Sequence, residues 1–170
     1  TSTLLGRPPM PHQQQAADLI GARHPDTGLP VFGLIIVTVQ RQAGKSAITL
    51  ASGVHRCVSA PHQRAWFTAQ TGGDARDHFL QLMDEAEARR SPLARLWTGK
   101  RANAGTRMIF RNGSIFRAHP PTVDALHGVQ SDLNLIDEAW SFTEPEGAAL
   151  LQAINPTQAT RPGAQTIILS

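Results

Sequence analysis

Cysteine, lysine and long apolar runs are all scarce in this chain of 170 residues. The lone cysteine, Cys57, excludes an intramolecular disulfide and every cysteine-cluster metal site, so stability has to come from packing. Cys57 itself reads as a small buried apolar residue. The longest nearly apolar run, Val31 to Val39, is far short of the ~20 residues that cross a bilayer. No signal-peptide pattern opens the chain either, so no membrane is expected and the cytoplasm is the default place of folding. Internal repeats and low-complexity tracts are missing, and Gly-x-Gly-x-x-Gly occurs nowhere, which disfavours a Rossmann dinucleotide site. Lysine stands only at Lys45 and Lys100, and Lys45 lies in a Gly-Lys-Ser context.

What is present is a globular composition, 41% hydrophobic and 17% charged, of a length that suits one core. The charge is unevenly spread. Residues 87–117 hold eight basic side chains against Glu87 alone, whereas residues 118–170 hold Arg161 against six acids. Such a basic segment suits an anionic partner, nucleic acid or a neighbouring subunit's phosphates, and equally a solvated arginine-rich surface.

Strand-like and helix-like patterns alternate, which predicts an α/β fold around a mostly parallel sheet. Helices are expected over 13–23, 45–58, 74–90 and 145–154, with a short one from Ser91-Pro92 to Trp97. Val31 to Val39 reads as a central parallel strand covered on both faces. Further strands are expected over 65–69, 133–136 and 166–169. Asn112-Gly113 between two short runs, 106–111 and 114–118, predicts a β-hairpin insertion, because that turn needs positive φ at both positions. Residues 120–131 read as loop.

Two motifs carry chemistry. Val39-Gln-Arg-Gln-Ala-Gly-Lys-Ser46 lies between a strand and a helix and matches the phosphate-loop pattern at Gly44, Lys45 and Ser46, with Val39 where a first glycine normally stands. The backbone from Gln40 through Arg41, Gln42, Ala43 and Gly44 would cradle phosphates, Lys45 would reach the β and γ phosphates, and Ser46 would offer its hydroxyl to Mg²⁺. Downstream, Asp132-Leu-Asn-Leu-Ile-Asp-Glu138 ends an apolar strand with two carboxylates, the form of a Walker B strand. Asp137 is placed to hold Mg²⁺ and Glu138 to polarise the attacking water. The 92 residues from Lys45 to Asp137, with Glu beside Asp, point to a three-layer P-loop NTPase of the additional-strand, catalytic-glutamate type.

These residues resemble the N-terminal ATPase domain of bacteriophage terminase large subunits, with the likeness strongest to phages of actinobacteria. Met10-Pro-His-Gln13 resembles the adenine-recognising Q motif. Arg41-Gln-Ala-Gly-Lys-Ser46 is similar to the family's Walker A, in which the first glycine is commonly absent. Thr68-Ala-Gln-Thr71 followed by Ala75-Arg76 resembles the segment after the second strand, and Leu135-Ile-Asp-Glu-Ala139 matches Walker B. The resemblance implies ATP and Mg²⁺ as cofactors, with Gln13 contacting adenine beside Met10 and Pro11. Gln14 and Gln15 are alternatives in a different register, and His12 stands where an aromatic residue is frequent. It implies Arg41 near the γ-phosphate, with Arg89, Arg90, Arg95, Arg101 and Arg107 as candidates for an arginine finger offered to an adjacent subunit. In some branches an arginine precedes the glycine shortly before Walker B, and here His127 precedes Gly128.

Residues 166–170 are similar to the strand entering the family's coupling motif, of which Ser170 alone is present. The expectation is therefore one ATPase domain over residues 1–170, truncated at that motif and lacking the nuclease domain. The function implied is ATP-driven translocation of double-stranded DNA into a procapsid. The implied partners are a homo-oligomeric ring, the portal and the small terminase subunit, in the cytoplasm of an infected host. A helicase-like ATPase and a nucleotide-binding prophage remnant without turnover are the alternatives.

Overall fold

Apolar periodicity of two and of 3.6 alternates along the chain, and the backbone follows it. The computed structural model describes residues 8–40, 43–88, 92–102, 105–126 and 128–170. The elements are α1 (Pro11–Gly21), β1 (Leu34–Val37), α2 (Lys45–Ser59), β2 (Arg64–Thr68), α3 (Gly72–Ala88), β3 (Trp97–Lys100) and β4 (Arg107–Phe110). They continue with β5 (Ile115–Ala118), α4 (Val123–Leu126), β6 (Leu133–Ile136), α5 (Glu144–Gln158) and β7 (Gln165–Leu169).

Among the described residues seven strands form one sheet in the order β1-β7-β6-β2-β5-β4-β3. The run from β1 to β5 is parallel, and β4 and β3 extend it antiparallel. The last strand, β7, thus enters between the strand that leads into the phosphate loop and the strand that ends in Asp137-Glu138. It is an additional central strand between the two motif strands, although it follows both motifs in the chain, outside the 92 residues that separate Lys45 from Asp137.

Side chains alternate across each strand, so the sheet presents two faces. On one, Ile48, Val54 and Cys57 of α2 and Phe79 and Met83 of α3 close over Phe67, Phe116 and Leu135. Cys57 is fully buried there, and burial pushes its thiol up to about 12. Gly53 lets α2 settle on β5: a Cβ at this position would lie 2.3 Å from the Phe116 ring. On the other face Leu150 and Ile154 of α5, with Leu126 of α4, cover Ile136. Helices therefore flank the sheet on both sides in three layers.

Several expectations are corrected. Among the described residues β1 is an edge strand and not a central one, with Leu34 and Ile36 left 53% and 63% exposed, because β7 pairs with it on one side only. Trp97 begins a strand, β3, after a 3₁₀ turn over Pro92–Leu96. Ser91 lies outside the described residues. The loop over 120–131 contains the single turn α4, and α5 runs on past Ile154 with Pro156 inside its last turn. No helix of the described residues is long and apolar enough to cross a membrane.

The hairpin side of the sheet buries a titratable ring. His119 follows β5, meets Trp66 edge-on with centroids 5.8 Å apart, and places Nδ1 2.7 Å from the Pro120 carbonyl. Burial lowers its imidazole from 6.5 to about 4. The folded chain therefore binds this proton less readily than the unfolded one. The resulting stability is complete above about pH 6.5 and is lost as pH falls toward 4, by at most about 3 kcal/mol. Urea midpoints should decline across that window, and His119→Asn should flatten the decline. An equally steep decline in the variant would sink this assignment.

Candidate nucleotide-binding site

β1 delivers the chain to the phosphate loop, where Ala43 N donates to Gln40 O across 3.1 Å. Gly44 then adopts φ +81°, a left-handed conformation that suits glycine, and caps α2, whose first turn carries Lys45 and Ser46. The first-turn amides of a helix lack partners within it and can bind an anion.

Helix α1 braces the loop from behind. Gln13 is 7% exposed, and its Nε2 donates to Gly44 O at 3.1 Å and to Ala43 O at 3.4 Å, while its Oε1 accepts from Met10 N at 2.9 Å. His12 Nε2 donates to Ala43 O across 2.8 Å. A Cβ on Gly44 would lie 2.3 Å from Gln13 Nε2 and 3.3 Å from Met10 Cε. The segment Met10-Pro11-His12-Gln13 is thus brought directly against the loop. Ser170 abuts the loop's other flank: its amide donates to Val37 O and its carbonyl accepts from Val39 N, both at 3.0 Å.

Across the site every residue of β6 is buried, and the strand ends at Asp137, 8% exposed. Asp137 Oδ1 accepts from the Glu138 amide at 2.9 Å and lies 3.9 Å from Lys45 Nζ. Burial raises the Asp137 carboxyl above its usual range, against the Glu138 amide and Lys45, which pull it down. Glu138 has φ +53°, which costs a non-glycine residue about 1–2 kcal/mol. Its carbonyl is held by Ser141, through N at 2.9 Å and Oγ at 2.7 Å.

Lys45, Ser46, Asp137 and Glu138 line one cavity of about 150 Å³. Helix α3 adds His78, Gln81 and Glu85 to its wall, residues that the sequence reading passed over. They recur at helical spacing beside the buried Phe79, Leu82 and Met83, a pattern that an ordinary solvated flank also produces. Ser46 and Asp137 supply a hydroxyl and a carboxylate to the same space, the hard oxygen donors that suit Mg²⁺. Among the described residues no group of three or more His, Cys, Asp or Glu could hold a metal.

Arg41, Gln42, Arg89, Arg90 and His127 lie outside the described residues. Gln40 is exposed at the loop's edge. Arg101 pairs with Asp84 and Glu87 at 2.8 and 2.9 Å, and neither it nor Arg95 or Arg107 lines this cavity.

A strand, phosphate loop and helix facing an Asp-Glu strand across one intervening strand define a P-loop NTPase fold. More particularly, the fold is that of the ATPase domains of phage large terminases. The large terminase ATPase domain of Thermus phage P74-26 superposes with a TM-score of 0.69 at 20% identity, covering 99% of this chain and 66% of that one. The large terminase of bacteriophage HK97 gives 0.72 at 17% identity, over 97% of this chain and 34% of that one. A large terminase from a thermophilic bacteriophage, in complex with ADP, gives 0.69 at 15% identity, over 95% and 38%. The chain therefore spans about two thirds of the first and little over a third of the others. No family model matches it, nor does any curated protein.

Proposed function

We propose that the chain is the ATPase domain of a DNA-packaging motor, hydrolysing ATP to move double-stranded DNA into a phage procapsid. The observation that carries the reading is the 3.9 Å approach of Lys45 Nζ to Asp137 Oδ1, inside a cavity that Glu138 also lines. Residues 92 positions apart meet there across β7. The likeness in fold to large terminases, one of which is known in complex with ADP and with ATP-gamma-S, supports a nucleotide as ligand.

In this reading the loop amides from Ala43 to Ser46 bind the β and γ phosphates, and Lys45 turns from Asp137 to the γ-phosphate. Ser46 and Asp137 hold Mg²⁺, which when bound offsets the phosphate charge. Glu138 orients the attacking water and accepts its proton. Arg41 adds positive charge at the γ-phosphate. Gln13 and Met10 combine loop bracing with adenine contact, Pro11 packs beside them, and Gln40 and Gln42 complete the cradle. Ser170, tied to the loop through Val37 and Val39, passes hydrolysis on to movement. Action as a homo-oligomeric ring with a portal and a small subunit, in the host cytoplasm, belongs to the same reading. No nuclease role falls to these residues.

A fluorescent ATP analogue titrated with and without Mg²⁺ tests the proposal. Binding should require Mg²⁺ and should weaken more than about tenfold in Lys45→Ala, since a charged partner of the phosphates is lost, with the circular dichroism spectrum unchanged. Equal binding by the variant would refute the site.

A further inference from the structure

The sheet face opposite α2 is not covered along its whole width. Beyond α5, the side chains of β2, β4 and β5 floor a groove of about 420 Å³ that carries Arg64, Arg107, Arg117 and Arg161. Arg117 also lines a second cleft of about 450 Å³, into which Arg76 reaches, so the two meet along β5. Neither cleft has an aspartate or glutamate in its lining.

The two central arginines face each other across neighbouring strands. Arg107 and Arg117 are directly opposed on antiparallel strands, where like charges destabilise the pair. Among the described residues no carboxylate pairs with either. Arg117 lies over the Trp66 ring, its Cζ 3.6 Å from the ring centroid, and the indole is fixed in turn by donation to Gln130 O at 2.9 Å. Arg64 is oriented by donating to Gly113 O at 2.8 Å. Arg161 stands 3.7 Å from Asp132 at the groove's end. Among the described residues the Nε atoms of Arg107, Arg117 and Arg161 are buried without a hydrogen-bond partner. Burial, and then Arg107, lower the Arg117 guanidinium to about 10, so this charge is held at a cost that a bound anion would offset.

Guanidinium groups donate and never accept, and their planar fork matches phosphate oxygens. A phosphodiester only accepts, whereas a peptide brings N–H groups that this donor-rich lining leaves unmatched. We infer that the groove over β2, β5 and β4 binds the phosphodiester backbone of nucleic acid, with Arg107 and Arg117 at its centre. The inference rests on the motor reading and names the face that meets DNA. The triphosphate cavity opens elsewhere, between α2, α3 and β6. Nucleotide and DNA are therefore held by different side chains.

The test is fluorescence anisotropy of a labelled duplex of about 30 base pairs with the 170-residue chain over a series of salt concentrations. Arg107→Gln combined with Arg117→Gln should weaken binding about tenfold or more at low salt and lower the slope of log K against log salt by about two. Arg101→Gln removes one charge outside the groove and should leave both readouts unchanged. Unlabelled duplex should displace the probe, whereas inorganic phosphate at equal phosphate concentration should not. Wild-type affinity and slope in the double variant would overturn the inference. So would a wild-type chain that ignores DNA, displacement by free phosphate alone, or stronger competition by polyglutamate than by duplex. The fluorescent ATP titration on the same variants keeps the two readings apart. Lost DNA binding with intact nucleotide binding supports the groove. A chain that binds DNA through the groove but no nucleotide refutes the ATPase reading and leaves the groove standing.

Discussion

Glu138→Gln is expected to reduce the ATPase kcat by about 10²–10⁴-fold while nucleotide affinity stays at the wild-type level. The substitution keeps the size and hydrogen-bonding shape of the side chain and removes only its ability to take a proton from water. Glu138 follows the buried Asp137 and is set at φ +53° by Ser141, so its carboxylate enters the cavity from a fixed backbone. A split between kcat and binding is the signature to look for, because a residue that merely shaped the pocket would change both. The experiment is steady-state phosphate release beside the fluorescent ATP titration. An unchanged kcat would end the assignment of Glu138 as the base.

Gly44→Ala should be the most damaging single methyl group at the site. Its φ of +81° already costs any side chain about 1–2 kcal/mol. The new Cβ would also fall 2.3 Å from Gln13 Nε2, an amide that cannot move without releasing Ala43 O, Gly44 O and Met10 N. The expected result is a Tm lower by roughly 5–10 °C, from a loss of about 2–3 kcal/mol, together with lost nucleotide binding. Gly128→Ala is the matched comparison, since Gly128 has φ +71° and nothing within 4 Å of an added Cβ. If the two variants lose the same stability, the brace from α1 contributes nothing beyond backbone strain.

Much of this site is legible in the sequence because its signals are local. Gly44-Lys45-Ser46 after an apolar run, and Asp137-Glu138 at the end of Leu133–Ile136, fall where the motifs require them. Asn112-Gly113 likewise announces the hairpin, but only Gly113 takes the positive φ expected at both positions, at +81°, in a three-residue loop closed by Phe110 N donating to Ser114 O. What escaped depends on pairing between distant segments. Val31 to Val39 reads as a buried central strand from its own composition, yet its place in the sheet is decided by β7, more than a hundred residues later. β3 is a four-residue strand containing Gly99 and is recognisable only through its register with β4. Pro156 argues for an earlier end to α5, but near a helix terminus a proline removes one hydrogen bond and the turn continues. The bracing role of Gln13 was hidden for another reason. Its resemblance to an adenine contact gave it one task, and only the fold shows its amide fastened to the loop.

The edge position of β1 also bears on how this molecule behaves in concentrated solution. Leu34-Ile35-Ile36-Val37 carries no lysine, arginine or proline, and residues 28–40 around it hold no charge at all. Among the described residues shortness is the strand's protection, since a four-residue edge gives an incoming chain few hydrogen bonds to copy. With a net charge of only +3 there is little electrostatic repulsion between molecules, and added salt screens what there is. Colloidal stability is therefore set less by the arginine-rich groove than by this neutral stretch at the opposite edge of the sheet, where self-pairing and precipitation would begin.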